Sequence, residues 1–520
     1  HPQAMAPTLG RFAAALSWAH VLQVFALRRK PQGRSDVFVH LFEWSWDDIA
    51  RECEDWLGPK GFSAAQVSPP TEHIKGNEWW TRYQPVTYNL TSRSGDEAAF
   101  ASMVKRCKKA GVSIYVDAVL NHVAASKGTS IAGNKYGGRS TPIFNPQDFH
   151  HMPFDVTGNC GVNDFADVHN VQFCDLQGLP DLCTECGGVQ DKIAAYLNRL
   201  VELGVSGLRL DAAKHIPKAD LAKIFEKVHG ADKLLKYVEV SKATSVDAVK
   251  EESYMEFANV IEFNYYSQLD ANIAETGRMS SLESLGTAPD LLPGSVAIVF
   301  VDNHDLQRSK DSNVAKLTYK SGKLYKLASA YMLAHPYGYP QIMSSFHFSS
   351  YDQGPPSAAV HKDNGDLRCG EFEPWVCEHR WPGIANMVKW RRTASDHPVT
   401  HFMALGEDTV SFCRGSVACV AFNRQESDEW VVNLDVPLDP GEYCDVASSD
   451  GVGCPLVKVD HDKTAQLTVP AQGFVAFHVG ARKKVLPEDD VVDLGQVQVR
   501  RARHRQQHQR SFLIEALGVD

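Results

Sequence analysis

No apolar run in this 520-residue chain reaches the roughly 20 residues that a bilayer-spanning helix needs. Positive charge is also in short supply: 53 lysines and arginines stand against 63 aspartates and glutamates, a net charge of −10. That balance excludes the basic face with which nucleic-acid binders track phosphates. No second CxxC, and no His pair at zinc-finger spacing, follows the one CxxC of the chain. Cys183-Thr-Glu-Cys186 therefore reads as a local disulfide or two inert thiols rather than half of a zinc site. What remains is ordinary globular composition, 43% hydrophobic and 22% charged, in a chain expected to form roughly two to four domains. A neutral polysaccharide suits such a surface better than a polyanion does.

The nearest approach to a membrane-length run is residues 12–27, preceded by Met5 and Arg11 and ending near the small-residue site Val24-Phe-Ala26. It reads either as a secretory signal starting at Met5 or as an N-terminal extension, and His20 and Gln23 weigh against the signal. Twelve cysteines point to an oxidising compartment and a secreted, extracellular protein. Cys413 and Cys419 flank Arg-Gly-Ser in a predicted hairpin, either as a cross-strand disulfide or as free buried thiols.

From 36 to 120 the chain alternates β-rich runs (37–42, 64–67, 113–119) with helical stretches such as 96–110, the pattern of a parallel α/β sheet. Between 121 and about 182 the periodicity dissolves into Gly, Asn, Asp, Pro and Ser, a long insert of the kind that carries function. Alternation then resumes from 183 to 397, with a helix predicted over 191–203 and strands over 207–210, 235–240, 260–263 and 296–301. Beyond about 398, short strands at 409–412, 418–422, 430–434 and 474–479 predict an antiparallel β-sandwich. The tail 481–520 carries Arg500, Arg501, Arg503, Arg505 and Arg510 and reads as solvated and disordered.

Three acidic stretches each place a carboxylate after an apolar run: Gly207-Leu-Arg-Leu-Asp211-Ala-Ala-Lys-His215, Tyr237-Val-Glu239-Val and Phe300-Val-Asp-Asn-His-Asp305. A lone Asp there would usually be a helix cap. In a (β/α)₈ barrel, however, carboxylates from several strand ends converge on one mouth, and two of them suffice to cut a glycosidic bond. Arg209 lies two residues before Asp211, so on a strand both point to one face and the guanidinium can hold Asp211 ionised. Glu239 follows Tyr237 and Val238, apolar neighbours that would favour its neutral form. Trp79, Trp80, Tyr83 and Gln84 read first as core, and His122 or His304 alone as a structural histidine.

These stretches, with Asp117-Ala-Val-Leu-Asn-His122, resemble the four signature regions of the α-amylase family of glycoside hydrolases. Val39-His-Leu-Phe-Glu-Trp44, Gln66-Val-Ser-Pro-Pro70, Trp79-Trp-Thr-Arg-Tyr-Gln-Pro85, His335-Pro-Tyr-Gly338 and Trp375-Val-Cys-Glu-His-Arg-Trp381 resemble the animal-type members in the same order, over roughly 36–480. The resemblance implies a TIM barrel (36–120 and 183–397) with domain B (121–182) inserted after the third strand and a β-sandwich domain C (398–480). It makes Asp211 the nucleophile, Glu239 the general acid and base, and Asp305 the third acid. His122 and His304 would bond sugar hydroxyls, Trp79, Trp80, Tyr83 and Gln84 would line the subsites beside Arg209, and Lys214 and His215 would lie on the leaving-group side.

The resemblance further implies one structural Ca²⁺, held by side-chain oxygens of Asn121 and Asp181 and backbone carbonyls of Gln172 and His215, with Asp117 supporting the loop. Disulfides would join Cys53 to Cys107, Cys160 to Cys174, Cys369 to Cys377 and Cys444 to Cys454. Two departures stand out. Chloride-dependent members hold the anion with two arginines and an asparagine; Arg209 and Asn303 match, but Gln341 replaces the second arginine, so chloride dependence is not expected. The family's glycine-rich mobile loop is replaced by Leu306-Gln-Arg-Ser-Lys-Asp311. The expected protein is thus a monomeric, retaining endo-α-1,4-glucanase acting on starch, glycogen and malto-oligosaccharides. The rivals are a transglycosylase of the same family and a non-catalytic α-glucan-binding protein, which would be expected to lose at least one acid.

Overall fold

Eight short parallel strands close into a barrel in the computed structural model, which describes residues 36–150, 160–241, 247–275, 278–309, 316–451 and 453–483. The signal-like segment and the arginine-bearing tail lie outside the described residues. The strands are β1 Phe38–Leu41, β2 Ala64–Val67, β3 Ser113–Val119, β4 Gly207–Asp211, β5 Leu235–Val238, β6 Asn259–Ile261, β7 Ala297–Val299 and β8 Tyr339–Ser344. Each pairs with its sequence neighbour, and β8 closes on β1 with Phe38 opposite Gln341. Burial on both faces explains why these strands read as continuous apolar runs rather than alternating ones. Phe38, Tyr115, Tyr237, Ile298 and Tyr339 fill the interior, so the barrel is a packed core with its chemistry at one end.

The helices that cover the barrel start and stop on local signals. Ser45 caps α1 (Trp46–Glu52) by accepting from the Asp48 amide at 3.1 Å, and Asp96 caps α2 (Glu97–Lys109) by accepting from Ala99. The helix expected over 191–203 begins earlier, as Gly187–Leu203, and ends where Gly204 takes a left-handed conformation. Between β3 and β4 the chain makes the predicted irregular excursion. Its regular pieces include a two-stranded ribbon (Gly128–Thr129 with Lys135–Tyr136) and a six-residue helix, Val168–Phe173.

The C-terminal part is antiparallel. β9 (Val399–Leu405), β10 (Thr409–Arg414), β11 (Ala418–Asn423) and β16 (Gly473–His478) form one sheet; β12 (Trp430–Asp435) pairs with β15 (Thr464–Val469), and β13 (Gly441–Cys444) with β14 (Leu456–Val459). One face of the four-stranded sheet meets Trp430, Leu434, Tyr443 and Leu467 of the paired strands. Phe412, Val420 and Phe422 on its other face join the barrel's core, which is why β10, β11 and β16 are buried throughout.

All twelve cysteines are paired. Besides Cys53–Cys107, Cys160–Cys174, Cys369–Cys377 and Cys444–Cys454, the structure joins Cys183 to Cys186 and Cys413 to Cys419. The last pair sits directly opposite across the β10–β11 hairpin, and both alternatives left open by the sequence resolve to disulfides.

A buried ionic cluster ties α1 to the segment 360–380. Glu52, wholly buried, accepts from His379 Nε2 at 2.8 Å and from Arg380 at 2.7 and 2.6 Å, and His361 bridges Asp48 (3.0 Å) and Glu52 (3.2 Å). Burial works against a charged His361, but the two carboxylates outweigh it and raise its pKa. A His raised in the folded state stabilises fully below its ordinary pKa of about 6.5, and that contribution is lost as pH rises through the folded value. His361→Gln is therefore expected to lower stability by about 1–3 kcal/mol at pH 5.5 and by less at pH 9. Thermal melts of the two proteins across that range check it.

Candidate active site

Asp211 ends β4, Glu239 follows β5, Asp305 lies beyond β7 and Asp117 stands on β3, so four carboxylates gather at one end of the barrel. Arg209 organises them. Its Nη1 lies 2.7 Å from Asp117 Oδ1 and 2.8 Å from Asp211 Oδ1, and its Nη2 lies 3.0 Å from Glu239 Oε2. Ala212 is left-handed (φ 48°), a turn that aims its N–H at Glu239 Oε2, 3.0 Å away. Such a conformation is sparsely populated away from glycine and occurs at functional turns.

Two expectations need correction here. Glu239 lies against a guanidinium and a backbone amide rather than among apolar groups, because Tyr237 turns into the barrel interior, where its OH donates to Gln66. Asp117 does not brace the neighbouring loop. It accepts from Arg209 and from Tyr83 OH (2.9 Å) and so belongs to the carboxylate cluster, because alternation along β3 points it at Arg209.

Burial opposes ionisation here more than one guanidinium can offset, so Asp117, Asp211 and Asp305 retain protons at higher pH than isolated acids. Burial opposes Arg209's charge, yet Asp117, Glu239 and Asp211 more than offset it and raise its pKa, so it stays cationic. Burial raises Asp211 against the pull of Arg209, and pushes Asp305 up to about 7 with Glu239 adding to the effect. Burial holds His122 down at about 4 and His304 well below its ordinary value. Both imidazoles are neutral at pH 7, suited to hydrogen bonds with uncharged hydroxyls.

Asp211, Glu239 and Asp305 line a cleft of about 570 Å³. One wall is Trp79, Trp80, Tyr83, Gln84 and Tyr351: the Trp79 indole donates to Tyr351 O at 2.8 Å, Trp80 donates to Asp352, and the Tyr83 ring stacks on His304 with centroids 5.3 Å apart. Trp79 is thus nearly buried, as core chemistry expects, and still faces the cleft. Gly354 lets the loop carrying Tyr351 and Asp352 close on Asn77, since a Cβ there would fall 1.5 Å from Asn77 O. The other wall holds Phe165, Lys214, His215 and Ser241.

Beside the cleft, Asn121 Oδ1 and Asp181 Oδ1 are buried without a hydrogen-bond partner. Two orphaned oxygens carry a desolvation cost that a hard cation would relieve. His215 Nδ1 bonds Val171 O at 2.7 Å, which brings the Gln172 backbone to the same corner, and burial pushes Asp181 up to about 7. The donor set of amide, carboxylate and carbonyl oxygens fits calcium.

The Alpha amylase catalytic-domain family matches residues 56–255, and the Alpha amylase C-terminal all-beta domain matches 401–480. The α-amylase of Phaedon cochleariae is 40% identical over 480 residues, covering 86% of this chain and 94% of that protein. The chain belongs to the α-amylase family. Wild-type α-amylase I of Eisenia fetida superposes with a TM-score of 0.80 at 34% identity, covering 87% of this chain and 99% of the other. A mutant of that enzyme, solved with maltohexaose, gives 0.79 at the same identity and coverage. Its relatives make this chain an α-amylase glycoside hydrolase.

Gln341 donates from Nε2 to Gln66 Oε1, which also accepts from Tyr237 OH at 2.7 Å. Asn303 Oδ1 accepts from the amides of Asp305 and Leu306 at the start of the short helical turn Leu306–Arg308. Sequence reasoning passed over Tyr351, Phe165 and Ser241. Phe165 had left one signal, a lone large aromatic in a run of Asn, Asp and His.

Proposed function

We propose that this α-amylase is a secreted, calcium-containing endo-hydrolase of α-1,4-glucosidic bonds in starch, glycogen and malto-oligosaccharides, acting with retention and without chloride. The observation that carries the reading is Arg209 joining Asp211 and Glu239 at the floor of an aromatic-walled cleft, with Asp305 beside them.

In this reading Asp211, hydrogen-bonded to Arg209, attacks the anomeric carbon as its carboxylate while Glu239 gives its proton to the departing oxygen. Glu239 then takes a proton from water as the glycosyl ester is hydrolysed. Asp305, His122 and His304 hold the ring hydroxyls, strengthening as positive charge develops at the anomeric carbon. Incubation with starch should release reducing ends; a protein that binds starch and releases none would be the non-catalytic rival.

Asn121 and Asp181, with the carbonyls of Gln172 and His215, would hold calcium, which clamps the insert to the barrel. Exhaustive EDTA treatment should lower the melting temperature, since a ligand present at 1,000 times its Kd stabilises by about 4 kcal/mol. Re-added calcium should restore it, and a melting point indifferent to chelation would refute the site. The six disulfides support secretion, and no helix among the described residues is long and apolar enough to cross a membrane.

Chloride independence rests on charge. Arg209 is engaged by three carboxylates, and Gln341 offers dipoles where a second cation would be needed to retain an anion. Activity should be complete in chloride-free buffer, and Gln341→Arg should introduce chloride activation. Many-fold stimulation of the unmodified enzyme by millimolar chloride would contradict this.

A further inference from the structure

We propose that Cys183 and Cys186, once their disulfide is opened, form with His150 and Glu185 a four-ligand site for Zn²⁺. The sequence offers only the CxxC half of such a site, and the fold supplies the rest. One ring nitrogen of His150, Sγ of Cys183 and a carboxylate oxygen of Glu185 all lie within 4.8 Å of one another. Zinc bonds of roughly 2.0–2.3 Å hold tetrahedral ligands roughly 3.3–3.8 Å apart, so a closure of at most about 1.5 Å completes the shell. Cys186 Sγ, bonded to Cys183 Sγ, is the fourth donor. The Cys186 amide donates to Cys183 O at 2.9 Å, a turn that keeps the two sulfurs together without the S–S bond.

His150 is prepared for the role. Its Nδ1 bonds Asp181 Oδ2 at 2.6 Å, and its Nε2 meets Glu185 Oε2 at 2.8 Å. A carboxylate behind one ring nitrogen fixes the imidazole and turns the other nitrogen toward a metal, the support that zinc-binding histidines usually have. The backbone joins the two halves: Phe149 pairs with Leu182, the His150 amide donates to Asp181 O at 3.1 Å, and the Cys183 amide donates to Asp148 O at 2.9 Å. His150 and Cys183 are buried and Glu185 is exposed, so the ion enters from the side of Glu185. Disulfide and metal are alternative occupants. A tertiary phosphine gives two electrons to the S–S bond, takes oxygen from water to end as its oxide, and leaves two thiols, whose protons zinc displaces.

The test uses the full chain in excess calcium, which competes for the Asn121 and Asp181 oxygens. After phosphine treatment, mass mapping of alkylated cysteines reports whether Cys183 and Cys186 have opened, and Co²⁺ serves as a coloured stand-in for Zn²⁺. The reduced protein should take up one more equivalent of zinc than the untreated protein, and its cobalt form should show thiolate charge-transfer absorption. The double variant Cys183→Ser, Cys186→Ser, treated alike, should lose both signals, which separates this site from any other reduced pair. Losing even an outer-shell partner of a metal ligand costs roughly 10–100-fold in affinity, and Glu185→Gln, at an exposed position, should cost no less. A disulfide that stays closed in the folded protein, equal zinc uptake by wild type and the double variant, a cobalt spectrum without sulfur bands, or undiminished affinity in Glu185→Gln would each overturn the inference.

Discussion

Asp211→Asn is expected to abolish hydrolysis while leaving the fold intact. An amide cannot form the covalent ester, and losing a nucleophile in covalent catalysis costs a factor on the order of 10⁶ in kcat. The fold should survive because the substitution removes one of three carboxylates crowded around Arg209 and relieves repulsion there. Starch assays read the first effect and calorimetry the second. Wild-type-like turnover would remove Asp211 from the nucleophile's role, and an unfolded variant would show that the carboxylate is needed for structure.

Glu239→Gln should be nearly as inactive on starch, with a loss of about 10²–10⁴ from the missing general acid. The amide oxygen can still accept from Arg209 and from the Ala212 N–H, so the site should keep its shape. Because fluoride leaves without protonation, α-maltotriosyl fluoride should be consumed at a far smaller deficit to form the glycosyl-enzyme. Equal losses on starch and the fluoride would assign the proton to another group, of which Asp305, pushed up to about 7, is the first to examine.

The barrel was legible because its strands are short, apolar and separated by amphipathic helices; 64–67 and 113–119 match β2 and β3 to the residue. The acids were legible because they close such strands inside ordered motifs. What escaped depends on partners far apart in sequence. The setting of Glu239 is made by Arg209, thirty residues earlier on a neighbouring strand, so its apolar sequence neighbours misdirected the expectation. Asp117 was expected to support the neighbouring loop, because its bond to Arg209 crosses 92 residues. The Glu52 cluster spans over 300 residues and left no local trace. Phe165 sits where no periodicity operates, and only the fold reveals that it lines the cleft.

The central claim is that Asp211 and Glu239 act as nucleophile and acid on one α-glucosidic bond, and the stereochemistry of the first-formed product tests it most directly. Proton NMR of maltohexaose hydrolysis, recorded before mutarotation, should show α-anomeric products appearing first and converting slowly to the equilibrium mixture. Initial β-anomers would mean direct attack by water and would contradict the account.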